Sequence, residues 1–155
     1  MDNKQVVTTE ELHKELDLVQ DCITRMAQNS FMIKRWAFTL VAALIALTAE
    51  KISLPSLCGI GIFILGTFWC LDAFFLKTEK LYRFKYEWII EQRPRGNRND
   101  LYDLNPNNNK MWKADRKNPS VFQVMFSKPC TLLLFYGSPI LVCAVIVVLR
   151  LFCVI

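Results

Sequence analysis

The stretch "NSFMIKRWAFTLVAALIALTAEK", Asn29 to Lys51, decides the fold of this chain. From Trp36 to Ala49 it holds 14 uncharged residues, directly behind Lys34 and Arg35. A hydrocarbon core ~30 Å thick asks for about 20 mostly apolar residues, whereas runs of about 10 to 14 suit a buried helix of a soluble protein or the core of a signal peptide. Counted back to Phe31, the run has 19 residues. That is enough to span if the two cations snorkel to the headgroups or meet a carboxylate. A signal peptide fits poorly, because a polar N-terminus of about 30 residues precedes the run and a second apolar stretch follows almost at once.

The rest of the composition agrees with membrane segregation. Of 155 residues 53% are hydrophobic, and the formal charge is +5. Ile52–Leu76 and Pro129–Leu149 hold much of the hydrophobicity, while Lys77–Lys128 holds 12 of the 19 Lys and Arg. This is the pattern of apolar spans and a basic loop rather than of nucleic-acid binding. Pro129–Leu149 is 21 residues without a charge, between Lys128 and Arg150. Pro139 within it removes a backbone donor and predicts a helix kink, read either as simple packing or as a pore-lining bend. Ile52–Leu76 carries one charge, Asp72, and its Pro55 suits a first helical turn.

The predicted architecture is therefore an all-α membrane protein with three transmembrane helices, the first two forming a hairpin that extends into a cytoplasmic helical stalk. Its segments are an amphipathic helix (1–30), transmembrane helices at 31–51 and 52–76, and a basic segment (77–128) that is helical to about residue 92 and then a loop. A third transmembrane helix (129–150) and an outer-side tail (151–155) complete it. The positive-inside rule puts the N-terminus and the basic segment in the cytoplasm and the C-terminus outside, in the periplasm of a bacterial inner membrane.

Thr8 and Glu11 form a capping box, after which Leu12, Leu16, Val19, Ile23 and Met26 recur at helical spacing. The second span continues as "LKTEKLYRFKYEWIIEQ" until Arg93-Pro94 and Gly96 stop it. With a turn centred near residue 52, antiparallel neighbours carry numbers adding to about 105. Leu16 then faces Ile89, Val19 faces Tyr86, and Ile23 faces Tyr82. The first arm is acidic (Glu10, Glu11, Glu15, Asp17, Asp21) and the second basic (Lys77, Lys80, Arg83, Lys85, Arg93).

The same register sets Asp72 opposite Lys34 and Arg35. The three read as an ion pair pinning the hairpin or as the mouth of an ion route. Arg93–Ser120, rich in Asn and Pro, reads as an irregular loop, with Tyr102 and Trp112 expected at the membrane surface or against a partner. "VFQVMFSK" reads as an interfacial helix. Thr39 and Ala43, Ala42 and Ala46, and Gly59, Gly66, Cys70 and Ala73 offer small-residue faces, expected to close the hairpin or to build an oligomer.

Little here suggests bond-making chemistry. No G-x-x-x-x-G-K, G-x-S-x-G or H-E-x-x-H occurs, and His13 is the one histidine. Six cysteines without a C-x-x-C pair read as reduced packing residues, and Cys-Val-Ile is one residue short of a prenylation box. No enzyme activity, cofactor or metal is expected.

"RMAQNSFMIKRWAFTLVAALIAL", "FWCLDAFFLKTEKLYRFKY" and "FSKPCTLLLFYGSPIL" together cover about a third of the chain. They resemble, in order and in place, three blocks of a family of small bacterial three-span membrane proteins. The blocks include Asn29, Ser30, Phe31, Lys34 and Trp36; Phe68, Trp69, Asp72, Glu79, Leu81 and Tyr82; and Phe126, Ser127, Lys128, Tyr136 and Pro139. That family has a small residue where this chain has Arg35, so a cation's role carries over to Lys34. More loosely, the architecture resembles small transmembrane effectors of antiphage systems, retron or cyclic-nucleotide-signalled. The resemblance implies a toxic effector of abortive infection that disrupts membrane integrity or potential when its sensor releases it. The other expectation is a non-toxic anchor or accessory subunit recruiting a soluble partner through the stalk. Expected partners are the lipid bilayer, further copies of the chain and a soluble sensor or regulator, with no direct nucleic-acid binding.

Overall fold

A computed structural model describes residues 7–48, 51–112, 117–126 and 131–152. Among these the chain is all helix and connecting loop, with helices α1 (Thr9–Thr48), α2 (Leu54–Gln92), α3 (Val121–Met125) and α4 (Ser138–Phe152). Helices at Thr9–Thr48, Leu54–Arg95 and Leu133–Arg150 are long and apolar enough to cross a bilayer, and their apolar stretches are largely uncovered by protein. This is a multi-pass, all-α membrane protein.

Each helix end has a local cause. Thr8 N–H donates to Glu11 Oε2 at 3.0 Å and Glu11 N–H donates to Thr8 Oγ1 at 3.2 Å, so the capping box satisfies donors at the start of α1. Lys51 N–H bonds back to Thr48 O at 3.0 Å in the hairpin turn, and Pro55 sits in the first turn of α2, where no donor is lost. α2 gives way to a tight turn, Arg93–Arg95 with Pro94 in it, and Gly96 closes it at φ +75°, in the left-handed region that suits glycine.

The chain divides into two compact units: Met1–Gln28 with Leu76–Pro119, and Asn29–Phe75 with Ser120–Ile155. In the first, Val19, Ile23, Trp88, Ile89 and Met111 form the core, and Leu12, Leu16, Tyr82, Tyr86, Leu104 and Trp112 pack on it. The periodic apolar stripes thus meet as the register predicts. Trp112 turns inward, 6.4 Å edge-on to Phe84, rather than toward lipid or a partner. Tyr102 is held at φ +60° by its N–H, which donates to Glu15 Oε1 at 3.1 Å.

Among its described residues the Asn-rich loop holds one short 3-10 turn, Asn109–Met111, and is otherwise irregular but densely bonded. Side-chain oxygens of Asn97, Asp103, Asn105 and Asn108 each accept the backbone N–H two residues on, at 2.9–3.0 Å. These are the local turns that short amide and carboxylate side chains favour.

In the second unit Ala37, Leu65 and Tyr136 form the core, with Phe68, Trp69, Phe135 and Ile140 packed on it. Ser120 N–H bonds to Gln123 Oε1 at 2.9 Å at the start of α3, the described part of the expected interfacial helix. Ahead of Pro139, Leu133–Gly137 widens into a π-helical turn. A proline offers no N–H to Phe135 O and crowds that carbonyl, and a π-turn is one way a helix accommodates the mismatch. α4 then continues to Phe152, past the expected boundary at 150. Pro129, Cys130 and residues 153–155 lie outside the described residues.

Candidate functional site

The site grows from one carboxylate. Asp72, on the apolar half of α2, is 0% exposed, and a buried charge in a membrane segment requires partners. Ser30 and Lys34, one helical turn apart and so on one face of α1, supply them. Ser30 Oγ donates to Asp72 Oδ1 at 2.5 Å. Lys34 Nζ lies 2.6 Å from Oδ2 as an ion pair without the alignment of a hydrogen bond, and donates to Ser30 Oγ at 2.8 Å. The ammonium also stands 6.0 Å from the centre of the Phe135 ring.

A third segment contributes Tyr136, from the π-turn before α4. It is 0% exposed, its ring stacks on Trp69 at 6.4 Å, and its hydroxyl is within electrostatic reach of Asp72. That hydroxyl, Trp69 Nε1 and Asp72 Oδ2 are buried without an aligned hydrogen-bond partner. Chemically, the arrangement neutralises charge and ties α1, α2 and the third span to one point. It offers no activated nucleophile.

The predicted trio of Asp72, Lys34 and Arg35 is corrected in one member. A residue step in an α-helix turns the side chain by about 100°, so Lys34 points at Asp72 while Arg35 is exposed on another face. Ser30 and Tyr136 were not predicted as partners. Ser30 was legible in principle, one turn before Lys34 and within three of the register. Tyr136 was not, because the third span has no short connection to the hairpin that would set its register.

A second polar centre lies in the other unit. Arg93 Nε and Nη2 donate to the Glu15 carboxylate at 2.7 and 2.6 Å, the two-pronged geometry that guanidinium and carboxylate share. Its remaining donors bond the carbonyls of Asn97, Asn99 and Asp100 at 2.7–3.2 Å, and it lies 5.5 Å from the Trp88 ring. Of the predicted contacts, Val19, Ile23 and Ile89 lie in this unit's core, and Leu16, Tyr82 and Tyr86 pack on it. Burial, with the neighbouring Cys22 thiol, raises the Tyr82 phenol above its ordinary value. Lys85, almost wholly buried, bonds Asp103 at 3.1 Å and Asn105 O at 2.9 Å. Arg93 and Lys85, two cations of the predicted basic arm, are therefore both spent on the loop.

The small-residue faces remain open. A Cβ at Gly59 or Gly66 would meet nothing within 4 Å, and Thr39, Ala42, Ala43, Ala46 and Cys70 are exposed. Of the named small residues Ala73 is buried, at 0% exposed. The expectation that these faces close the hairpin is corrected for all but Ala73. Among the described residues no cluster of three His, Cys, Asp or Glu is placed to hold a metal. No protein-family model, curated protein or solved structure matches the chain.

Proposed function

We infer that this chain is an inner-membrane effector of a bacterial antiphage system, drawn in its closed form and latched by Asp72. The observation that carries the reading is the fully buried Asp72 paired with Lys34 and Ser30 inside an apolar segment. A plain membrane anchor has no need of a costly buried charge, whereas a charge tie between helices can hold one packing until another is favoured. With Asp72 buried and neutralised, the latch is favoured over an open ion mouth. The uncovered Gly59, Gly66, Ala42 and Ala46 supply surface on which copies could pack once the latch opens. The looser resemblance of the architecture to small transmembrane effectors supplies the antiphage setting, and the excess of cations in 77–128 supplies the orientation, N-terminus in the cytoplasm.

The test is induced expression of the full chain in bacteria carrying a membrane-potential dye, with and without phage infection. Depolarisation and growth arrest are expected. Unchanged potential and growth in both conditions overturns the reading and leaves the anchor. That second reading has its own support in the first unit, where Leu18, Asp21, Cys22, Arg25, Gln28 and Leu104 line an open cleft of about 450 Å³ able to receive a soluble partner.

A further inference from the structure

Lys34 and Arg35 divide their work. Asp72 is the one carboxylate among the described residues of the second unit, and Lys34 already meets it. No further carboxylate among the described residues of that unit is left for Arg35. Its guanidinium makes no ion pair or hydrogen bond among the described residues, and its side chain is exposed. It sits where the apolar run of α1 begins, beside Trp36 at 56% exposed and Phe31 at 62%. An exposed tryptophan marks the headgroup level of a bilayer, where its ring is half apolar and half wet.

Arg35 and Thr39 also line two clefts. One, of about 240 Å³, is completed by Met32 and Trp36. The other, of about 390 Å³, is completed by Phe31, Lys34, Phe38 and Phe135. The Phe38 and Phe135 rings meet edge to face at 4.8 Å and give the second cleft a firm aromatic wall. A fixed cation at the headgroup level, opening onto apolar clefts on the bilayer side, matches a molecule with a phosphate at one end and hydrocarbon at the other.

We propose that Arg35 is the headgroup anchor of a binding site for an anionic phospholipid, the guanidinium gripping the phosphate while an acyl chain lies against Phe38 and Phe135. A guanidinium suits this better than an ammonium, because its planar fork can bond two phosphate oxygens at once. The site does not depend on the effector reading, since an anchor would bind lipid equally well.

The test uses the purified full chain in detergent, with phosphatidylglycerol or phosphatidylcholine of the same acyl chains added. Retained lipid is read by native mass spectrometry and thermal stability by unfolding. The native chain is expected to retain and be stabilised by phosphatidylglycerol over phosphatidylcholine. Arg35→Gln should weaken that preference roughly fivefold, about the contribution of one cation at an anionic surface. Arg35→Lys should recover part of it, and Lys51→Gln, at the other end of the span, should leave it intact. Full preference in Arg35→Gln, an equal loss in Lys51→Gln, or the same stabilisation by inorganic phosphate alone would each overturn the site. Should Arg35→Gln fail to fold, the graded loss in Arg35→Lys decides, and no loss there counts against the proposal.

Discussion

Glu15 and Arg93, 78 residues apart in sequence, meet through two hydrogen bonds of 2.7 and 2.6 Å with neither side chain more than 1% exposed. Arg93 also holds the loop carbonyls, so the contact organises the loop as well as the helix pair. Removing one partner strands the other without water, a cost of about 3–5 kcal/mol. Glu15→Gln and Arg93→Met are each expected to destabilise the first unit by that much. Arg93→Lys should do little better, because a point charge cannot reach two carboxylate oxygens and three carbonyls together. Proteolysis of the 97–112 loop in the full-length protein is the readout, and wild-type resistance in Arg93→Lys would refute it.

An asymmetry is expected at the other polar centre. Lys34→Met leaves the fully buried Asp72 carboxylate with Ser30 and Tyr136 as its near polar groups, again about 3–5 kcal/mol. Asp72→Asn keeps an acceptor for Ser30, and Lys34, 23% exposed, can turn toward headgroups, so about 1 kcal/mol is lost. The double variant should be more stable than Lys34→Met alone. Thermal unfolding in detergent orders the three variants, and a Lys34→Met protein as stable as Asp72→Asn contradicts the ion pair.

What could be read from the sequence followed from local rules. The Thr8–Glu11 cap, the Pro94–Gly96 stop and the packing of Tyr82 on the core that holds Val19 and Ile23 all depend on neighbours in sequence or on a single short turn. The short turn made register additive, and the observed pairs Ser30–Asp72, Lys34–Asp72 and Glu15–Arg93 fall within three of the expected one. Choosing Lys34 over Arg35 needed the helix phase to within one residue, finer than a centred turn supplies. The loop was read as irregular, which it largely is, but its internal order was hidden for another reason. Its Asn content reads as irregularity, but the order comes from Arg93 gathering carbonyls, and such contacts leave no periodic trace. Trp112 was misplaced, because the ring it meets, Phe84, comes from a separate segment, α2.

The packing of α2 on α4 has a chemical test. The Cys143 thiol lies within electrostatic reach of the Cys58 thiol in the second unit, and both are free. In a chain with Cys22, Cys70, Cys130 and Cys153 replaced by Ser, a chemical oxidant applied to membranes should join the two. A linked peptide pair, two hydrogens lighter than the separate thiols, is the expected mass-spectrometric signature. Its absence under conditions that oxidise an exposed control thiol would separate these helices.

Acid should loosen the first unit before alkali does. Bonds from the Thr8 backbone and from Arg98 hold the Glu11 carboxyl below its ordinary value, and Lys110 does the same for Asp100. Burial pushes Asp103 upward, but the Asn105 N–H and the Lys85 ammonium outweigh it, and the net shift is downward. A carboxyl lowered on folding contributes stability that is full above its unfolded value of about 4 and is lost as pH falls through the folded value. Tyr82 is raised, so its contribution is full below about pH 10 and declines as pH climbs past that. Amide exchange in the 97–112 loop should therefore be slowest across the neutral range, quicken relative to its intrinsic rate below about pH 4, and respond to alkali only above about pH 10. Asp100→Asn should flatten part of the acid limb, and an unchanged acid limb in an Asp100→Asn, Asp103→Asn double variant would exclude these carboxylates as its cause.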